Sequence, residues 1–259
     1  MKPIIIGAGR GARLQALTAN HPKCYAPIGG RRILSWMLEA ITIDELESPI
    51  FIGGYLIDVI REDYPQFTYR HNSGWADNNV LLSLFHAEED MADGFVCTYS
   101  DILFRDTVVR RALEHPADIV ICVDTHWRER YVHRTEHPED DAETVTLNGD
   151  RVTRIHREIP SEESHGEYIG VAKFTAKGAA QLREHFYRIR EEFSGHNWPE
   201  EKPFEKSYLI HLLEAMIQND VPVHCVTTEG DYMEIDTEQD YALANEHWPA
   251  KFSTEVPKE

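Results

Sequence analysis

The chain lacks most of the features that announce a protein class. It has four cysteines, Cys24, Cys97, Cys122 and Cys225, and no two of them form CxxC. That argues against a disulfide framework or a zinc site, and two of the four lie in apolar strand-like runs and read as buried thiols. No apolar run approaches the length of a membrane span. The first residues are already strand-like and leave no room for a leader, so cytoplasmic residence is the expectation. Positive charge is scarce: 26 Lys and Arg stand against 45 Asp and Glu, a formal charge of −19. Nucleic-acid binding of the sequence-independent kind relies on Lys and Arg neutralising phosphates. Anionic membrane surfaces repel such a chain as well, so the reading expects neither nucleic acid nor membrane as a partner. There is no Gly-Lys-Ser/Thr after a glycine loop, no HExxH among the histidines, no internal repeat and no low-complexity linker.

What remains is a globular pattern. The 259 residues, 42% hydrophobic, suffice for one large α/β domain or two small ones. Apolar runs at Pro3–Ile6, Pro49–Ile52, Phe67–Tyr69, Gly94–Thr98 and Asp118–Val123 read as strands. Helical patterns fall between them at Arg31–Ile41, Tyr55–Tyr64, Asn79–Met91 and Arg105–Leu113. Strands alternating with helices predict βαβ units, hence a Rossmann-like α/β fold with a mixed, mostly parallel sheet flanked by helices. Asp124–Ala142 is polar and aperiodic. Glu143–Ile155 then reads as a hairpin turning at Asn148-Gly149. A strand at Tyr168–Phe174, helices at Ala176–Phe193 and Phe204–Asn219, strands at Val221–Val226 and Tyr232–Ile235, and a helix opening at Thr237 complete the pattern. His196–Pro199 reads as a loop and Lys251–Glu259 as a frayed tail. The expectation is one domain, 1–259, with a lid-like hairpin insertion near 124–160.

The most informative stretch is Ile6-Gly7-Ala8-Gly9-Arg10-Gly11-Ala12-Arg13-Leu14, followed by Pro22-Lys23. Glycines let backbone N–H groups approach a phosphate that a side chain would keep away. Arg13 and Lys23 add fixed positive charge. Gly7, Gly9 and Ala12 also fit a dinucleotide fingerprint, but that motif needs a helix at the glycines and an acid about 20 residues on. The chain instead runs into a long loop from Gln15 to Lys23, and Glu39 lies in an apolar helical pattern. Gly7–Arg13 and Asp101 each follow a strand directly, which places both beyond the carboxyl edge where such sheets bind ligands. Taken alone, Asp101 and Asp236 read more readily as turn or cap aspartates than as metal ligands, and Asn79 reads at least as readily as a helix N-cap as a base contact.

The Gly7–Arg13 turn with Lys23, Asp101 after the fourth strand and Glu234-Ile-Asp-Thr-x-x-Asp240 together resemble the nucleotidyltransferases that move NMP from an NTP to a phosphorylated acceptor, with the sugar-phosphate NTP transferase fold. Trp75-Ala-Asp-Asn-Asn79 before the Ser83 helix, and Tyr208-Leu209, look like the branch of phosphocholine and phosphonate cytidylyltransferases. Gly7, where many members carry Ala, is a harmless departure. The resemblance implies Mg²⁺ on Asp101 and Asp236, with catalytic Lys23 and Arg13 stabilising pyrophosphate. It also implies CTP held by Ala8, Gly9, Arg10, Gly11, Asn78, Asn79 and Ser100. The partners implied are CTP and a small phosphorylated or phosphonylated acceptor, and a homodimer is compatible with the pattern.

Acceptor residues are expected at Trp127, Arg128, Arg130, Arg134, Glu167 and Tyr168. Three arginines in an acidic chain favour an acceptor bearing a carboxylate or phosphonate over phosphocholine, although the same arginines also fit a solvated loop paired with its own acids. Arg151, Arg154 and Arg157 carry the same ambiguity. The competing readings are a sugar-1-phosphate transferase using UTP, GTP or dTTP, and a nucleotide-binding protein without turnover.

Overall fold

Ile4 and Ile6 point to one face of the first strand and Ile5 to the other, and all three are buried. A strand apolar on both faces must lie between two layers. The computed structural model describes residues 1–136, 138–193, 196–198 and 202–252. The loop read at His196–Pro199 and the tail read at Lys251–Glu259 lie partly outside them.

In chain order the first half runs β1 (Lys2–Gly7), β2 (Pro27–Ile28), β3 (Arg31–Arg32), α1 (Ile33–Ile41), β4 (Ile50–Gly53), α2 (Ile57–Asp63), β5 (Thr68–His71), α3 (Val80–Phe85) and β6 (Phe95–Tyr99). It continues with β7 (Ile102–Phe104), α4 (Asp106–Glu114), β8 (Ile119–Asp124) and α5 (Trp127–Tyr131). The second half adds β9 (Thr144–Asn148), β10 (Arg151–Ile155), β11 (Gly166–Phe174), α6 (Ala176–Glu192), α7 (Leu209–Gln218), β12 (His224–Thr228), β13 (Tyr232–Glu234) and α8 (Glu238–Phe252).

One nine-stranded sheet runs β5-β4-β1-β6-β11-β8-β12-β10-β9. Strands β5, β4, β1 and β6 are mutually parallel, β11 is antiparallel to both β6 and β8, and β12 is parallel to β8. The α/β expectation with a mostly parallel core therefore holds. One face carries Ile4, Ile6, Phe95, Cys97 and Ile121 under α3, α6 and α7; the other carries Ile5, Phe51, Val96 and Val120 under α1, α2 and α4. Burying each such side chain is worth about 1.5–3 kcal/mol. All four cysteines are buried thiols, and among the described residues no helix is long and apolar enough to cross a membrane.

Several elements differ from expectation. The polar stretch after Val123 holds a short helix, α5, because Trp127 and Tyr131 at i and i+4 bury together with Ala142. The hairpin β9–β10 is part of the main sheet: β10 pairs with β12 and β9 with β11. The helix expected from Phe204 starts at Leu209, after a separate turn at Phe204–Lys206. The late strand slides from Val221–Val226 to His224–Thr228. Unforeseen altogether is the small sheet of β7 and β13, which pairs Glu234 with Ile102. It shares a third apolar cluster, with Leu14, Trp36, Leu103, Ile235 and Trp248, that anchors the segment after the glycine turn.

Candidate active site

Strands β1 and β6 end side by side, and the chain leaving each lines a cleft of about 460 Å³. That is ample for a small-molecule substrate. Gly11 sits at φ +66°, and a Cβ there would lie 2.6 Å from Lys23 Cδ. Only glycine relieves both the backbone strain and the contact with the lysine stem. Gly9 has open space where its Cβ would be, so its backbone faces the cleft bare.

The β7–β13 pairing and the Ile235 N–H bond to Asp101 carbonyl oxygen, 3.0 Å, bring Asp236 beside Asp101. Asp236 is not the cap of α8. Thr237 Oγ1 accepts from Asp240 N–H (3.1 Å), while the Asp240 carboxylate accepts from the N–H groups of Asp236 (3.1 Å) and Thr237 (2.9 Å). The Asp236 side chain thereby turns to the cleft. Lys23 Nζ donates to Asp101 Oδ2 at 2.6 Å and also to Asp236 Oδ1. Arg13 donates to Asp236 Oδ2 at 2.5 Å. Burial pulls the Lys23 pKa down, but the charges and hydrogen bonds of the two aspartates prevail and hold it above the ordinary value.

The charges continue as a chain. Asp141 lies 3.9 Å from Arg13 on one side and 3.9 Å from Arg157 on the other. Arg157 donates to Glu143 at 3.2 Å, Tyr99 Oη donates to Glu143 at 3.3 Å, and the Arg157 guanidinium lies 4.1 Å from the Tyr208 ring centre. Burial raises the Glu143 carboxyl above the usual range although Arg157 pulls it back. Glu234 is raised further, by burial and then by the neighbouring charge of Asp236. Two buried polar atoms, Tyr168 Oη and Arg157 Nε, have no hydrogen-bond partner among the described residues. Six carboxylates and three cationic side chains line the cleft.

Of the residues expected from sequence, Ala8, Gly9, Gly11, Arg13, Lys23, Asn78, Asn79, Ser100, Asp101, Glu167, Tyr168 and Asp236 all line this cleft. Asn78 is held there by reciprocal bonds with Asn72, 2.8 and 2.9 Å. Asn79 takes the cap role, its Oδ1 accepting from Val80 N–H at 2.8 Å. Arg10 is not among the lining residues; its guanidinium lies 5.6 Å from the Tyr55 ring centre.

The acceptor expectation needs correction at four positions. Trp127, on α5, is buried against Tyr131 and Ala142, and Arg128 donates to the Ser161 and Ser164 carbonyls. Arg130 is taken up by Asp124 and Glu167, and Arg134 by Asp240 at 2.7 Å. None of the four lines the cleft; for Arg130 and Arg134 the reason is that buried acids claim their charges first. The residues that take their place, Tyr99, Asp141, Glu143, Arg157, Tyr208, Tyr232 and Glu234, were not singled out as site residues. Tyr99 lies two residues before Asp101, Arg157 is one of three ambiguous hairpin arginines, and Tyr208 and Glu234 stand inside motifs that carry the resemblance. For Asp141, Glu143 and Tyr232 the sequence carries no local signal.

No family model matches the chain. CTP:phosphoglutamine cytidylyltransferase of Campylobacter jejuni is 25% identical over 246 residues, covering 91% of this chain and 96% of that protein. Choline-phosphate cytidylyltransferase of Streptococcus pneumoniae is 30% identical over 109 residues, 41% of this chain and 47% of that protein. The solved structure of CTP:phosphocholine cytidylyltransferase from Streptococcus pneumoniae superposes with a TM-score of 0.71 at 23% identity, covering 95% of this chain and 97% of that one. At that identity the likeness is one of fold.

Proposed function

We propose that the chain is a cytidylyltransferase of the nucleotidyltransferase kind, moving CMP from CTP to the phosphate of a small acceptor, a reading its similarity to two cytidylyltransferases supports. The observation that carries this reading is the meeting of Asp101, Asp236 and Lys23 opposite the glycine turn. An acceptor phosphate oxygen forms a bond to the α-phosphorus of CTP while the bond from that phosphorus to the bridging oxygen breaks, releasing pyrophosphate. The attacking oxygen is already anionic, so no general base is required. What the site must supply is positioning and charge neutralisation.

The residues fit a divalent cation. Two carboxylates on separate elements converge on one cationic atom, Lys23 Nζ. Carboxylate oxygens also suit Mg²⁺, which takes one or two of them plus substrate phosphates. Asp101 and Asp236 would hold Mg²⁺, which would supply charge neutralisation for the phosphates of both substrates. Such a cation would offset the carboxylates of the cleft as a polyphosphate enters. Lys23 and Arg13 then exchange their aspartate partners for phosphate oxygens, and the bare Ala8–Gly11 backbone holds the triphosphate.

The acceptor end favours a zwitterion. Glu143 offers a carboxylate and Arg157 a guanidinium side by side, and the Tyr208 face that a quaternary ammonium would need is covered by Arg157. A phosphorylated acceptor bearing both an ammonium and a carboxylate or amide fits this pair, and the phosphoglutamine-using relative supports it. Pyrophosphate release is the test, with CTP, UTP, GTP and dTTP set against phosphoglutamine, phosphocholine, 2-aminoethylphosphonate, a phosphono-acid and sugar 1-phosphates. CTP with an amino-acid phosphate is expected to lead. A sugar 1-phosphate turned over best with UTP or dTTP would replace this reading.

A further inference from the structure

Away from the cleft, where the Asn148-Gly149 turn closes the hairpin, His115, Asp150 and His224 each bring one ligand atom within 4.8 Å of the others. From this juxtaposition we propose a second metal site on this chain, for a borderline transition ion of the zinc or cobalt kind, that clasps the hairpin to the sheet. Two imidazoles and one carboxylate suit such ions, whereas Mg²⁺ prefers an all-oxygen set.

The geometry is nearly that of a coordination shell. His115 Nε2 lies 3.0 Å and His224 Nδ1 3.3 Å from Asp150 Oδ2. Donors bound at about 2.1 Å stand roughly 3.0–3.4 Å apart around one ion. The three residues come from different elements held in fixed relation. Arg151 pairs with His224 across β10 and β12, and Cys225 N–H donates to the Asp150 carbonyl at 2.8 Å. Lys173 Nζ donates to the His115 carbonyl at 2.7 Å, and Arg111 ties α4 to the Thr227 carbonyl at 2.9 Å.

Both ring nitrogens face the same carboxylate oxygen: the buried His224 Nδ1 lies 3.3 Å from Asp150 Oδ2, and His115 Nε2 lies 3.0 Å from it. An ion among the three donors would take the place of the protons that these contacts otherwise need. Asp150, with its side chain 58% exposed, leaves the other coordination positions to water.

One local bond opposes the ion. Ala117 N–H donates to His115 Nδ1 at 3.2 Å, which keeps the ring proton on Nε2 facing Asp150. The metal replaces that proton, and the ring turns from Ala117 as Nδ1 takes a proton.

Cobalt(II) is the probe, added to the full chain in excess Mg²⁺ so that all-oxygen sites are filled. One equivalent should develop a visible absorption band that Zn²⁺ abolishes, and Zn²⁺ should raise the melting temperature. His224→Ala and Asp150→Asn should each weaken cobalt binding at least about tenfold, with pyrophosphate release unchanged. Failure of the wild-type protein to develop the band, or the same band and affinity in both variants, would overturn the site.

Discussion

At the scale of single residues, the site turns on which charge each side chain already holds. Lys23 stands between two carboxylates, and replacing it with alanine should lower kcat/KM at least tenfold, about 1.4 kcal/mol or more in barrier. Unchanged kcat/KM, measured with Mg²⁺ saturating and the fold intact by circular dichroism, would remove Lys23 from the mechanism. Glu143 gives a pH test. Burial raises its pKa, so its charge is lost at a higher pH than that of an exposed carboxylate. The acceptor KM should therefore rise as pH falls into that raised range, and Glu143→Gln should raise KM roughly tenfold while removing the pH dependence that Glu143 adds to the acceptor's own. The link to stability has the opposite sense: Glu143 favours the folded state below the ordinary carboxylate pKa and loses that contribution as pH rises through the raised value. Lys23, Arg13 and the glycines were legible because they are neighbours in sequence. Arg130 and Arg134 misled because basic residues in an acidic chain look available, whereas Asp124, just upstream on β8, and Glu167 and Asp240, supplied from farther along the chain, neutralise them.

At the scale of elements, the long apolar strands and the Asn148-Gly149 hairpin could be read from periodicity, since a period of two and a turn at φ +64° leave clear marks. The β7–β13 pair could not. Each strand has three residues and finds its partner across half of the chain, yet this pairing joins the two aspartates. Strand β11 carries its own device. Gly170 adopts φ +78° in the stretch between Tyr168 and Ala172 where the register with β8 shifts, and a Cβ there would lie 2.5 Å from the Tyr99 ring. Gly170→Ala should cost about 1–3 kcal/mol, read as a lower denaturant midpoint. It should also displace Tyr99 and weaken acceptor binding. A midpoint equal to wild type would show that the bulge does not depend on glycine.

At the scale of the whole molecule, the proposed function asks a chain of net charge −19 to gather substrates that are themselves anions. Asp101 and Asp236 would receive a divalent ion for this, and the same carboxylates hold Lys23 and Arg13 in place. The alternation of strands and helices foretold the sheet edge where this happens. The acceptor's identity was hidden because its pocket is assembled from β6, the two ends of the hairpin, β11 and the start of α7. The most direct measurement is a crystal of the protein soaked with CTP and Mn²⁺, which yields an anomalous signal where Mg²⁺ would sit. The account predicts a peak shared by the Asp101 and Asp236 carboxylates and the nucleotide phosphates, with Lys23 Nζ moved onto phosphate oxygen. A manganese peak that leaves either aspartate unbound, with Lys23 still bridging the pair, would contradict it.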